Sequence, residues 1–324
     1  MAFPSVSDII ATTIEKRSRT IADNVTKNNA LLSRLQQRGK VKPFSGGYVI
    51  TETLSFAENG NAGFYSGYDV LPIQPQDVIS RSQFDIKQAA CPVTISGLEQ
   101  LQNAGPEQMI DLLAGRMEVA EATMRNLISG GLYSDGTGYG GKEITGLNSA
   151  VPAVAPASQT NIYGGIDRTN WAFWRTKFTD PGNYTTILAD MNAMWVSLQR
   201  GMDAPDLIIM DSLAWAQYVG KLQAQQQFTS MNGAGSAGFG FPSIRFMNAD
   251  VVCDGGIGGF GASNTAYFLN TNYIHFRPHS ARNFVPLSPS KRHSTNQDAE
   301  VQILGWAGNL TCSGAQFQGR IEFA

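Results

Sequence analysis

The stretch "YVITETLSF" at 48–56 alternates apolar and polar residues just after Gly46-Gly47, and it is followed by the turn-rich "AENGNAG" and then "FYSGYDV". The period-two pattern predicts a strand, and strand, turn and strand together predict a hairpin over residues 47–70. A two-stranded ribbon of that length is marginal alone in water, so it has to lie on something. No obvious next partner follows it in sequence, which makes a neighbouring subunit a candidate support. Tyr48, Ile50, Phe64 and Tyr65 are the side chains such a contact would use.

The rest of the chain divides around that ribbon. Residues 5–38 read as a helical arm whose apolar positions are too loosely spaced for a full core stripe. The arm is basic, with Lys16, Arg17, Arg19, Lys27, Arg34, Arg38 and Lys40 against Asp8, Glu15 and Asp23. A solvated helix and contact with a polyanion or acidic partner both stay open, and Lys16, Arg17 and Arg19 are the candidate arm contacts. Beyond the ribbon, "DVISRSQFDIKQAACPVTISG" reads as one long strand in which Pro92 marks an edge or a bulge.

A helix is predicted over 106–129, with Pro106 in its first turn and Gly130-Gly131 as its stop. Met109, Leu112, Leu113, Met117, Ala120, Met124, Leu127 and Ile128 make its apolar stripe. From Thr169 the texture becomes a mixed α/β domain, interrupted by glycine-rich loops at 232–241 and 255–263. The tail "AEVQILGWAGNLTCSGAQFQGRIEF" alternates like two strands that join a sheet elsewhere, and the sheet begun at residue 77 is the expected one.

Chemistry is hard to find. "SDGTGYGGKE" at 134–143 imitates a phosphate-binding loop, but such loops follow a strand and open a helix, whereas this one follows the helix. Glu143 stands where a magnesium-ligating hydroxyl belongs, so the stretch reads as a glycine-rich helix exit. His275, His279 and His293 are the only histidines, and Pro278 breaks the spacing of the first two. No nucleophile elbow is present, and Cys91, Cys253 and Cys312 offer neither a disulfide framework nor a metal motif. No catalytic, metal or cofactor site is expected, and a nucleotide-using enzyme is kept only as a weak alternative.

Only 15% of the 324 residues are charged and the net charge is -2, so no whole-protein basic field grips nucleic acid. A thinly charged surface fits burial against partners. No apolar run is long enough for a membrane span, and the N-terminus lacks the pattern of a secretory signal, so synthesis in the cytosol is expected.

The order of parts, with "ADNVTKNNALLSRLQQRGK", "GLYSDGTG", "GLNSAV", "YFLNTNYIHFRPH" and "GNLTCSGAQFQG", resembles the major capsid protein of tailed bacteriophages, the Hong Kong 97-like fold. The resemblance implies an α+β chain with an N-terminal arm (1–42) and an extended β-hairpin loop (43–72) lying over an adjacent subunit. It also implies a peripheral domain (73–165 with 280–324) built on a long spine helix, and an axial domain (166–279). Gly255, Gly256, Gly258 and Phe260 would lie on an axial loop near the symmetry axes.

The function so implied is self-assembly, as hexamers and pentamers, into an icosahedral shell enclosing double-stranded DNA. The expected location is the virion, after assembly in the host cytoplasm. The expected partners are further copies of the chain, a separate scaffolding protein, a portal protein and a decoration protein, with no membrane. An encapsulin-like compartment is the alternative within the same fold. Some relatives cross-link a loop lysine to a neighbour's asparagine, but no lysine occurs between Gly46 and Pro72.

Overall fold

The strand at 48–56 forms as β1 (Val49–Ser55), but its partner is not the 64–70 stretch. In the computed structural model, which describes residues 30–102, 112–222, 243–255, 259–287, 292–293 and 298–323, β1 pairs antiparallel with β2 (Ile79–Asp85). The register runs from Val49 opposite Asp85 to Ser55 opposite Ile79. "FYSGYDV" is diverted from a strand by a local turn, in which Gly67 takes φ 52° and Ser66 N–H donates to Asp69 Oδ2 at 2.8 Å. The hairpin therefore spans 49–85, and 57–78 is a long loop at its tip.

One face of the ribbon belongs to the chain's own core. Ile50, Leu54 and Phe84 are buried there, because alternate residues of paired strands share a face. Ile50 is only 3% exposed, which corrects its reading as an exposed contact for a neighbour.

The long strand read over 77–97 splits at Ile86 into β2 and β3 (Lys87–Ser96), which take different partners. β3 pairs with β13 (Ala299–Cys312), and among the described residues it has no strand on its other side, so Pro92 does sit on an edge strand. The opposite flank of β13 carries β11 (Ile274–Pro286) and β12 (Arg292–His293). Helix α1 (Ala30–Gln37) precedes the ribbon, and the chain between them runs parallel to β11, with Lys42 N–H donating to Phe276 O at 2.9 Å and Phe44 N–H to Pro278 O at 3.1 Å. A short α2 (Gly97–Gln102) leads toward α3 (Leu112–Gly131), which lies against β3.

In α3, Ala120, Met124 and Ile128 are buried and Met117 is partly so, while Leu127 is 40% exposed. At 100° per residue, Leu127 stands about 60° from Met124 and about 100° from Ile128, at the edge of the stripe. Met109 and the side chains of Leu112 and Leu113 lie outside the described residues. After the helix the chain folds back so closely that a Cβ on Gly146 would stand 2.4 Å from Gly131 O and 2.5 Å from Leu132 O. Both obstacles are backbone, so Gly146→Ala is expected to cost about 2–3 kcal/mol in urea unfolding of the unassembled chain. An unchanged midpoint would show that the turn gives way freely.

A small hairpin of β4 (Ile162–Tyr163) and β5 (Ile166–Asp167) supports the ribbon, because Gln83 N–H donates to Gly164 O at 2.8 Å. Among the described residues the second sheet has six strands in the order β6 (Lys177–Thr179), β14 (Gly319–Glu322), β10 (Thr265–Leu269), β7 (Leu207–Met210), β9 (Ala249–Cys253) and β8 (Ser243–Phe246). Every residue of β7 is buried, and α4 (Ile187–Leu198) and α5 (Ser212–Leu222) cover this sheet. Of the two tail strands, β13 pairs with β3, the second half of the segment begun at residue 77, while β14 joins neither half. It inserts between β6 and β10, where Ile321 and Phe323 complete the second core.

Candidate assembly surfaces

The ribbon's root is fixed to its own chain. Glu52, on β1, accepts from Arg277 Nη1 and from Thr311 Oγ1, both at 2.9 Å. Phe56 packs edge-on to Trp171, with ring centroids 5.5 Å apart, and lies 5.8 Å from Phe173. Past Phe56 the contacts become local, such as Asn61 N–H to Asn59 Oδ1 at 2.9 Å.

The side chains beyond face solvent: Phe64, Tyr65, Tyr68, Val70 and Ile73 are all at least 66% exposed, and Tyr48 at the foot is 95% exposed. Isolated apolar residues are normal on a surface, whereas a run of them on one loop makes that loop a candidate interaction surface.

The other sequence candidates fall elsewhere. A Cβ on Gly255 would meet Ser212 N at 2.3 Å, so glycine is needed where the loop crosses the start of α5. Phe260 packs against the end of α3 and joins the first core. Gly256, Gly258, Lys16, Arg17 and Arg19 lie outside the described residues.

Two anchors of the arm had no local signature. Arg38 pairs with the Asp206 carboxylate, and its Nη2 reaches Asp206 O at 2.9 Å and Asp250 Oδ2 at 3.0 Å. Asp254, buried beside α3, accepts hydrogen bonds from Tyr133 Oη, from the Phe260 amide and from the first amides of α1. Burial raises the Asp254 pKa and these donors oppose the rise.

Among the described residues no group of three or more His, Cys, Asp or Glu could hold a metal ion. The phosphate-loop imitation follows the helix, and Gly138–Gly141 is a turn with Tyr139, Gly140 and Gly141 at positive φ. Glu143 accepts from Ser134 Oγ at 2.5 Å and lies where a Cβ on Gly138 would stand. No described helix is long and apolar enough to cross a membrane.

His275 is 6% exposed, and burial, reinforced by Lys42, Lys40 and Arg277 against the opposing Glu52, pushes its pKa down to about 4. The unfolded chain takes up this proton below about 6.5, and the folded chain holds it off until about 4. This residue's contribution is therefore complete above pH 6.5 and declines toward pH 4, by about 3 kcal/mol at most. Replacing His275 by Phe is expected to flatten that part of the unfolding profile. Parallel profiles for the two proteins between pH 7 and 4 would refute the assignment.

No family model matches the chain, and no curated relative does. Solved structures do. A cyanophage A-1(L) capsid chain aligns with a TM-score of 0.68 at 14% identity, covering 95% of this chain and 96% of its own. The fold is the Hong Kong 97-like capsid fold. A chain from the capsid of a native GTA particle gives 0.62 at 12% identity, covering 96% and 95%. The SrpI encapsulin of Synechococcus elongatus gives 0.54 at 7% identity, covering 100% and 96%. At 14% identity or less, these likenesses carry the fold and no residue-by-residue role. This chain's surfaces have to be read from its own geometry.

Proposed function

We propose that the chain is the structural subunit of a closed icosahedral shell of tailed-phage type, assembled from pentamers and hexamers around double-stranded DNA. The observation that carries this reading is the 57–78 loop. It exposes aromatic and aliphatic side chains and is mounted on a root held by its own chain, on a fold also seen in capsid chains. One copy leaves this surface bare, and a neighbouring copy would cover it. Tyr48, Phe64 and Tyr65 are the proposed contacts, with Gly255, Gly256, Gly258 and Phe260 toward the symmetry axes and the basic arm residues on the inner side.

In this reading the peripheral unit is 73–165 with 280–324 and the axial unit is 166–279, the strand Gly319–Glu322 bridging them. The proposed partners are a separate scaffolding protein, a portal and a decoration protein. Negative-stain imaging of the expressed chain, alone and with a scaffold, is the test. Uniform shells support the proposal, and soluble monomers under both conditions count against it. Uniform shells from the chain alone would remove the scaffold from it.

The similarity to an encapsulin supports a second reading, a shell around protein cargo. Nucleic acid recovered from purified native particles supports the first, and a co-purifying enzyme the second.

The shell is also expected to be held without covalent links. The ribbon and its loop carry no lysine before Lys87, and an ammonium becomes a nucleophile only when it loses its proton. Boiling mature particles in detergent and reductant should release one band near 35.0 kDa. A surviving ladder of multimers would disprove this.

A further inference from the structure

An open pocket of about 470 Å³ lies where the end of α4, the edge strand β6 and the turn at 315–317 meet. Arg175, Lys177 and Arg200 all line it, and no Asp or Glu does. Basic and acidic residues nearly balance over the whole chain, 24 against 26, so the pocket is a local concentration of positive charge that the net charge hides.

Two of the cations are fixed by the chain itself. Arg175 Nε donates to Arg168 O at 2.7 Å and its Nη2 to Thr169 O at 2.8 Å, which orients the guanidinium and leaves Nη1 without an acceptor among the described residues. Arg200 lies over the Phe317 ring, 4.5 Å from its centroid, and its Nη2 donates to Tyr273 Oη at 3.2 Å. Asp203 stands 3.7 Å from Arg200 but already accepts from Tyr273 Oη and Asn270 Nδ2, both at 2.6 Å. Lys177 is exposed, and its ammonium has no partner among the described residues. The negative end of the α4 dipole opens on the same space through Ser197 and Leu198, which offsets the repulsion among the three cations. A lysine that blunts an edge strand accounts for Lys177 and not for the two guanidinium groups lining the same pocket.

We infer that this pocket binds a phosphate group, carried by a nucleic acid backbone or free in solution. A guanidinium presents paired N–H donors that match two phosphate oxygens, and an ammonium adds a point charge. Three cations exceed what one carboxylate needs, and they suit an anion whose oxygens point in several directions. The site is complete within one copy of the chain, so it stands or falls apart from the shell reading.

The test uses the unassembled full chain and a short fluorescein-labelled DNA duplex, with binding followed by anisotropy over a range of salt. Lys177→Gln is expected to weaken binding about fivefold and to lower the slope of log K against log salt by about one. Lys142→Gln, the same charge change on the 134–143 turn, should leave both near the parent values. The basic arm is common to all three proteins and cancels in the comparison.

Inorganic phosphate is titrated in parallel, its binding read from the broadening of its phosphorus NMR line. Weaker duplex binding in Lys177→Gln assigns the site to a nucleic acid backbone, and loss of phosphate broadening alone assigns it to the free ion. Duplex and phosphate binding that are the same in Lys177→Gln as in the parent would overturn the inference. A glutamate peptide that binds the parent more tightly than either probe, and depends on Lys177, would overturn it too, because the pocket would then serve a carboxylate-bearing partner.

Discussion

A chain in which residues 57–77 are replaced by Asn-Gly is expected to fold normally and to form no shells. Phe56 N–H donates to Val78 O at 3.1 Å, the rung just beyond Ser55 opposite Ile79, so a two-residue type I′ turn closes the ribbon without disturbing its register. Ile50, Leu54 and Phe84 keep their core, and Phe56 keeps Trp171 and Phe173. What disappears is the projecting surface of Phe64, Tyr65, Tyr68, Val70 and Ile73. Circular dichroism and the unfolding midpoint should match the parent within error, while sedimentation shows unassembled subunits. Shells of normal size from this variant would refute the role given to the loop.

Arg168→Met is expected to destabilise the unassembled chain by about 3–5 kcal/mol. Arg168 is fully buried, and in place of a carboxylate its guanidinium serves main-chain and side-chain oxygens. It donates to Trp174 O at 3.0 Å, Asn161 Oδ1 at 3.1 Å, Ala150 O at 2.5 Å and Ser149 O at 3.4 Å, and it lies 5.2 Å from the Tyr163 ring centroid. Burial lowers its pKa, yet the cation is held by its ring of acceptors. Methionine fills much of the volume and leaves those acceptors unpaired in the interior, which costs more than the lost contacts alone. Lysine cannot reproduce the fork and should rescue less than half of the loss. A change below about 1 kcal/mol would mean that water replaces the guanidinium freely.

The ribbon shows where local pattern carries information and where it stops. Alternation identified β1, but 57–78 intervenes before β2, and the aromatic residues of 64–70 imitate a strand. β2, "ISRSQFD", reads as polar because Ser80 and Ser82 alternate with Arg81 and Gln83, yet Ser82 is fully buried, its hydroxyl 3.3 Å from Cys312 O. Period two tells that Ile50 and Leu54 share a face and cannot tell which face is covered.

The helix was legible because glycines end it, although its stripe was read one residue too wide at Leu127. Arg38 with Asp206 and Tyr133 with Asp254 join residues 168 and 121 positions apart, and no short-range pattern encodes such pairs. Tyr48, Phe64 and Tyr65 are exposed, but Phe64 and Tyr65 lie on the 57–78 loop and not on the hairpin strand that the sequence suggested.

The place of β14 has a consequence for synthesis. Residues 319–322 lie between β6 and β10, strands encoded some 140 and 50 residues earlier, and β13 likewise completes the first sheet from positions 299–312. A nascent chain that ends before residue 299 can therefore close neither core, because the non-local pairings have not yet been made. Interrupted translation then yields polypeptides in which the ribbon root lacks Thr311 as a partner for Glu52. If the chain builds the proposed shell, late completion keeps such fragments out of it by leaving them unfolded.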